Sequence, residues 1–378
     1  MARALIMAWM LLFGAIGTGL IGPNRTSIES EYGLTTTALG VGVAAIQVTA
    51  AALVLALTPR LAGLGGFALL LAGLVLQATG FGLIWLTRSV VWLGVGWFAI
   101  VSGSALGAIA NTLTARLFRD NPRRGVTLLH AFNGVGKVVG PLIAAVALAH
   151  HWRLSFAGVG ALTLVMVLAF LTGGRELKRV SAPPASRVAG AEWALARRAE
   201  YWLRVLPFGL ISGGELAFVT LLPMYCEEGL GTSPEVASLL LTVHLAGLAS
   251  GRFITAPLSS RVSNSAIIGW CLLSGLLVVP ALLTTNVAVA GVCLFIAGGL
   301  FSSTWPAYYA QISDWFEGRR PMLDYGSALC NSLGISMCVL LSSCMADISL
   351  KAAMLFGPGV LALFGALFFL SRLSAERG

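Results

Sequence analysis

Three residues at helical spacing carry the densest chemistry in this chain. His130, Asn133 and Lys137 follow i, i+3, i+7, which puts an imidazole, an amide and an ammonium on one face of a helix. Such a face offers a cation, a titratable imidazole and a hydrogen-bonding amide, groups that suit an anionic or hydroxylated solute. Lys137 would lie ~18 Å along its helix at 1.5 Å per residue, deep inside an apolar segment. Charges at such depth cost ~2.5–3.5 kcal/mol on insertion scales, so each requires a reason. Glu215 sits at similar depth in another segment, and His244 near the middle of a third. A carboxylate and an imidazole are groups that take up and release protons. Two readings of Lys137 and Glu215 stand side by side. In one, Lys137 binds solute and Glu215 handles a proton. In the other, they form a static pair that lowers the burial cost of both.

A second set is aromatic. Phe301, Trp305 and Tyr308 follow i, i+4, i+7, with Tyr309 and Gln311 alongside. Rings with hydroxyl and amide tips suit a sugar or an amphipathic metabolite, and they suit helix packing equally well. Asn111 and Arg25 are further candidates for lining a site. Catalytic and metal chemistry finds little support. The adjacent His150-His151 point in different directions on a helix, and Cys226, Cys271, Cys293, Cys330, Cys338 and Cys344 show no CxxC or histidine-paired spacing. No phosphate-binding loop of the Walker type occurs. The sequon Asn24-Arg25-Thr26 falls at a membrane edge and is read as chance. No cofactor and no metal are expected.

The elements that must hold these residues are membrane helices. Hydrophobic residues make up 57% of the chain and charged residues 10%, against roughly 25% charged in soluble domains. Twelve apolar segments are expected near 4–25, 36–57, 67–86, 91–115, 125–148, 154–172, 203–225, 234–257, 264–284, 288–312, 322–345 and 351–371. Each is long enough for a core of ~30 Å, and lipid-facing backbone has to be paired within its own segment, so the segments are helices. The first is too long for a signal peptide and shows no clear cleavage site. All but five of the 24 Lys and Arg residues fall at the termini or in the even-numbered connections; the five are Arg25, Arg88, Lys137, Arg153 and Lys351. Arg252 is counted in the connection after the eighth segment. That bias puts both termini in the cytoplasm of a multi-pass inner-membrane protein. The net charge of +9 thus reflects topology, and no nucleic acid is expected as partner.

Residues 173–200, with Pro183-Pro184, several serines and dense positive charge, read as a cytoplasmic linker between an N-terminal unit, 1–172, and a C-terminal unit, 201–378. Within that region, Glu192 to Arg204 carries Trp193, Leu195, Tyr201 and Trp202 among basic residues, a pattern fit to lie on the inner leaflet. The two halves repeat. Arg123-Arg124 and Asn133-Gly134-Val135-Gly136 correspond to Arg319-Arg320 and Asn331-Ser332-Leu333-Gly334. The third, sixth, ninth and twelfth segments are nearly pure hydrocarbon, with Gln77 the main exception, and read as lipid-facing.

On these features the chain resembles the major facilitator superfamily over essentially its whole length. The resemblance implies an all-α membrane protein with twelve transmembrane helices in two six-helix bundles that alternate access to a solute site. The family's run between the second and third helices is reduced here to Thr58-Pro59-Arg60-Leu61-Ala62-Gly63-Leu64-Gly65-Gly66, without its aspartate. Gly136-x-x-x-Gly140-Pro141 is similar to part of the family's antiporter signature, and helix packing alone accounts for it as well. The stretches Ala108-Ile109-Ala110-Asn111 and Leu128-Leu129-His130-Ala131-Phe132-Asn133 look most like the fucose-permease branch. Its two acids would align near Gly22 and Gly107, so neither is present.

The expected protein is a monomeric secondary transporter, not an enzyme. Its expected partners are a small-molecule substrate, the lipid bilayer and protons as candidate coupling ion. The substrate-facing residues would be Lys137, Asn133, His130, Asn111, Trp305, Tyr308, Tyr309 and Gln311, and the coupling residues Glu215 and His244. An exporter of drugs or amphipathic metabolites is the alternative within transport; a membrane-embedded enzyme or non-transporting receptor is the alternative of another class. Reporter fusions at Gly378 should be active in the cytoplasm. A periplasmic signal would overturn the segment count.

Overall fold

Apolar continuity sets the helix ends, and proline and glycine set the interruptions. The computed structural model describes residues 1–61, 65–107, 109–118, 120, 122–180, 194–258, 261–316 and 320–375. Among them the chain is helical, in the order α1 (Ala2–Gly19), α2 (Ile21–Tyr32), α3 (Thr36–Leu61), α4 (Gly66–Leu86), α5 (Val90–Leu106), α6 (Ile109–Leu117), α7 (Pro122–Leu148), α8 (Arg153–Gly173) and α9 (Arg175–Val180). After a 3-10 turn at Ala194–Arg197 follow α10 (Ala199–Leu230), α11 (Pro234–Leu258), α12 (Asn264–Leu283), α13 (Val287–Phe301), α14 (Thr304–Ser313), α15 (Arg320–Ala346) and α16 (Leu350–Ala375).

Ten helical stretches among the described residues are long and apolar enough to cross a membrane. The first and fourth expected segments are interrupted instead: the first is divided into α1 and α2, and the fourth into a shorter apolar α5, Val90–Leu106, and α6. Pro23 has no N–H to offer the carbonyl of Gly19, and the chain breaks between α1 and α2 at Leu20. α5 ends at Gly107, whose N–H bonds Ser104 in a tightened last turn. The tenth segment is also broken, between α13 and α14. Pro306 cannot donate to the Ser302 carbonyl, and the Nε of Arg252 does so at 3.1 Å. Arg252 therefore belongs to helix α11, two turns before its end, and not to the following connection.

Contacts divide the chain into two compact units. Unit 1 holds Met1–Gly33, Ala45–Arg187 and Pro234–Thr242; unit 2 holds Leu34–Ala44, Val188–Ser233 and Val243–Gly378. The units exchange two short stretches, the first turns of α3 and of α11. In unit 2 the Asp347 carboxylate caps α3 by accepting from the Thr37 N–H at 3.0 Å. Burial pushes the Asp347 carboxyl up, but the hydrogen bonds from Thr37 and Thr36 outweigh it and leave the group below its ordinary value. In unit 1 the Ser238 hydroxyl of α11 donates to the Pro141 carbonyl of α7 at 2.8 Å.

The sequence repeat is also a repeat of helix pairings. α1 packs on α7 and α8 as α10 packs on α15 and α16; α4 packs on α5 and α8 as α12 packs on α13 and α16. Long apolar side chains stand exposed along α4 (Val75, Leu76), α8 (Leu164, Val165, Leu168), α12 (Leu273, Leu276) and α16 (Leu363, Leu367), the pattern of helices facing lipid. α5 and α13 expose apolar residues too, at Val91, Val95, Val292 and Ile296. Gln77 is buried and bonds Ser104 on α5 at 3.2 Å.

The region expected on the inner leaflet is turned inward where it is described. Leu195 is buried, the Tyr201 hydroxyl donates to the Met322 carbonyl at 3.0 Å, and the Trp202 indole donates to Ala196 at 2.8 Å. Glu192, Trp193 and the Pro183-Pro184 stretch lie outside the described residues.

At the other end of unit 1 one arginine ties three elements together. Arg153, opening α8, bonds both carboxylate oxygens of Glu31 at 2.6 Å, the Tyr32 hydroxyl at 2.9 Å and the Thr87 carbonyl at 3.2 Å. The Trp152 indole adds a bond to Glu31 at 2.7 Å. The Arg153 guanidinium, aided by Trp152, holds the Glu31 carboxyl below the ordinary glutamate value, against the opposing effect of burial. A depressed folded value means that the stabilisation is complete above the unfolded value of ~4.3 and is lost as pH falls through the folded one. Glu31→Gln should lower Tm by several °C at about pH 6 and flatten the acid limb below about pH 4. An acid limb of unchanged depth would remove Glu31 from this role. Glycines set a second constraint: Gly247 and Gly251 on α11 meet Phe295 and Gly299 on α13, and a Cβ on Gly298 would strike the His244 carbonyl. Gly251→Leu should therefore cost ~1–3 kcal/mol or more by overpacking, read as lost Tm and reduced folded yield, whereas Gly42→Leu, with open space around it, should be silent.

Candidate functional site

In unit 1 the unbroken α7 carries the expected face. Asn133 is buried, and His130 and Lys137 are partly exposed. Each of the three makes interactions within the protein. Pro141, four residues on, has no N–H for the Lys137 carbonyl, so that residue brings a freed acceptor as well as an ammonium. The repeat bears on Asn133. Its counterpart Asn331, on α15, accepts from Ser212 on α10 at 2.7 Å, tying the first and fifth helices of that half. Asn111 lies on α6, with its side chain outside the described set.

Gly107 and Trp9 explain a departure from the fucose-permease pattern. The Trp9 ring, almost fully buried, lies where a Cβ at Gly107 would stand. A carboxylate-bearing side chain at 107 does not fit while Trp9 occupies that space.

Unit 2 separates residues that periodicity placed on one stripe. The break at Ser302 and Ser303 turns Phe301 away from α14. Tyr308 enters the core, packing edge-on to Phe208 at 5.1 Å and Phe364 at 5.5 Å, while its hydroxyl donates to the Arg204 carbonyl at 2.9 Å. Trp305 and Tyr309 stack at 5.4 Å with 16° between planes and keep part of their surface open; Gln311 is exposed. Both rings also pack against Phe208, at 5.0 and 6.2 Å.

Glu215 and His244 meet at one cavity. It measures about 20 Å³ and is walled by these two, Phe218, Ser274, Gly275, Val278, Phe301, Pro358 and Leu361. Five helices of unit 2 contribute, from α10 to α13 and α16. Phe218 stands edge-on to the imidazole at 5.3 Å. The His244 Nδ1 lies 3.0 Å from the Leu294 carbonyl. A carbonyl only accepts, so Nδ1 carries the hydrogen and Nε2 is the basic nitrogen. Arg252, one helix face along from His244, lies within electrostatic reach of Glu215. Thus the carboxylate has a cation in its own unit. Sequence reasoning missed Arg252 because it read the residue as part of a connection, and missed Ser274 because nothing in a pure apolar segment marks one serine. Among the described residues no group of three His, Cys, Asp or Glu could hold a metal ion.

The fold is that of a multi-pass membrane protein. The family model of the Major Facilitator Superfamily matches residues 5–233 and 206–378, and the chain belongs to that superfamily. No curated protein matches the sequence. Among solved structures, the chain is similar to a bacterial homolog of the human lysosomal transporter Spinster in its inward-facing, unoccupied conformation, with TM-score 0.73, 13% identity, and coverage of 98% of this chain and 96% of that one. It is similar also to the E. coli fucose:proton symporter FucP, with TM-score 0.64, 17% identity, and coverage of 97% and 98%. Likeness at such identities is a likeness of fold.

Proposed function

We propose that this chain is a secondary active transporter that moves a small polar organic solute, anionic or hydroxylated, by alternating access, with protons as coupling ion. Twelve membrane spans in two six-helix bundles, with both termini in the cytoplasm of the inner membrane, complete the reading. The observation that carries it is the α7 face: a lysine, a buried asparagine and a histidine on one unbroken helix. An ammonium at that depth recognises a carboxylate or phosphate as a point charge, and the amide and imidazole give direction through hydrogen bonds. In unit 2 the stacked, partly open Trp305 and Tyr309, with Gln311 beside them, are a second candidate surface for a ring or apolar body. Proton coupling is supported by a titratable pair, Glu215 and His244, held at one cavity. The fucose symporter is proton-coupled by its name, but the acids that its branch uses are glycines here, so fucose does not carry over.

An exporter of amphipathic compounds draws support from Gly136-x-x-x-Gly140-Pro141 and from the aromatic pair. Counterflow in proteoliposomes against panels of carboxylates, sugars and amphipathic cations separates the two. Lys137→Ala should abolish transport of the solute found, with folding and Tm near wild type. Glu215→Gln should reduce pH-driven accumulation tenfold or more while sparing counterflow, which moves no net proton. If Lys137 and Glu215 are instead a static pair, each single change should destabilise the protein and the double change to neutral residues should restore transport. Wild-type transport in both single variants sinks the assignment.

A further inference from the structure

We propose that α9 and the second half of α8 form a docking site for one anionic phospholipid, its acyl chain along an apolar stripe of α8 and its phosphate held by Arg175, Lys178 and Arg179. The site is separate from the solute and proton reading above, and its test requires no transport.

The opening of the stretch read as a linker is docked onto unit 1. Leu177 is buried, and α9 packs against α1, α4 and α6. It meets the first residues of α1 and α4. The Met1 ammonium lies 3.8 Å from Glu176, and the Ala2 N–H donates to the same carboxylate at 3.2 Å. The Lys178 ammonium sits over the Phe67 ring, 5.0 Å from its centroid, and that ring stacks on Phe170 of α8 at 6.0 Å. Gly174 permits the fit, since a Cβ there would strike Phe67. The end of α6 lies at the same level: the Arg3 guanidinium donates to the Leu117 carbonyl at 2.8 Å and covers the Phe118 ring at 4.5 Å. α9 therefore lies where the helices of unit 1 leave the apolar core.

Helical register runs through the junction of α8 and α9. The Gly174 N–H donates to the Phe170 carbonyl and the Lys178 N–H to the Gly174 carbonyl, both at 2.9 Å. Leu164, Leu168, Leu171, Arg175 and Lys178 thus follow helical spacing on one face, and all five are exposed. From Leu164 to Arg175 is ~16 Å at 1.5 Å per residue, about half of a ~30 Å hydrocarbon core. An apolar stripe one leaflet deep ends in cations, which complements the chain and the phosphate of a single phospholipid.

Charge selects the headgroup. α9 carries three cations and one acid, and that acid, Glu176, is turned to the N-terminus. The exposed Arg175 and Arg179 offer planar forks that match phosphate oxygens, and Lys178 adds a point charge. A cation beside an anionic surface strengthens binding about fivefold. Three of them favour phosphatidylglycerol over a zwitterionic lipid with the same chains.

The experiment is native mass spectrometry of the purified full-length protein, titrated with phosphatidylglycerol and with phosphatidylcholine of identical chains. The first phosphatidylglycerol should bind about tenfold or more tighter than phosphatidylcholine. The triple change Arg175→Gln, Lys178→Gln, Arg179→Gln should weaken it about tenfold or more, leave phosphatidylcholine binding unchanged and keep the lipid-free Tm. Where the triple variant folds poorly, Arg179→Glu alone, at an exposed position, should weaken it about fivefold or more. The change Arg197→Gln, Arg198→Gln, Arg261→Gln removes the same charge from exposed positions of unit 2 and should leave the affinity nearly unaltered. An equal loss in that control reduces the effect to net charge and overturns the site. Equal affinity of the wild-type protein for the two lipids overturns it too. So does displacement of the lipid by millimolar glycerol phosphate, which assigns the cluster to a soluble anion.

Discussion

Inside a bilayer no water is available to receive a backbone group that has lost its helical partner, and the organisation of unit 2 follows from one such group. Pro306 leaves the Ser302 carbonyl without a donor, and the Arg252 guanidinium supplies one. To reach it, α11 has to lie close along α13 and the start of α14, an approach that glycine at 247, 251 and 298 permits. The close approach brings the His244 Nδ1 within 3.0 Å of the Leu294 carbonyl, which fixes the tautomer. One proline thus leads, through sterics and hydrogen-bond satisfaction, to an oriented imidazole beside a carboxylate. The charges answer one another in the same way: Arg252 meets a need of the backbone and also lies in electrostatic reach of Glu215.

The same rule made much of the fold legible in the sequence. Segment ends expected at 67–86 and 264–284 lie within a residue of α4 and α12, because an apolar run bounded by polar turns has few alternatives in lipid. The breaks were less legible. Hydropathy averages over them, so the first, fourth and tenth segments read as single spans although each is divided. That error propagated into the site. The stripe Phe301, Trp305, Tyr308 presumes one unbroken helix; with the break in place, Phe301 walls the cavity, Tyr308 joins the core and Trp305 pairs with Tyr309. Pro23 and Pro306 were visible all along as the local cause. What no local signal gives is the partner across space: Arg252 for Ser302, Trp9 for Gly107, Ser212 for Asn331.

The two units began from one pattern of helix pairings and now carry different chemistry. Each packs its first helix on its fifth and sixth and its third on its fourth and sixth. In unit 1 the interruption at Gly107 is filled by an indole, which leaves no room for an acid there, and the cation stands on the fifth helix at Lys137. In unit 2 the matching interruption is bonded by an arginine, and the acid stands on the first helix at Glu215 with a histidine beside it.

This difference follows from what each interruption leaves exposed. An apolar plug such as Trp9 seals a break without bringing charge. An arginine brings +1 to a low-dielectric interior and is tolerable there only with a carboxylate in reach. Once that carboxylate exists, protonating it changes the net charge of the buried group by one unit, and a buried change of that size is felt by every helix that touches it. Such a group can bias one packing of the surrounding helices over another, because its two protonation states have different electrostatic needs. A plugged break has no second state to offer. On physical grounds a break stitched with charge has two electrostatic states, and a break plugged with an indole has one.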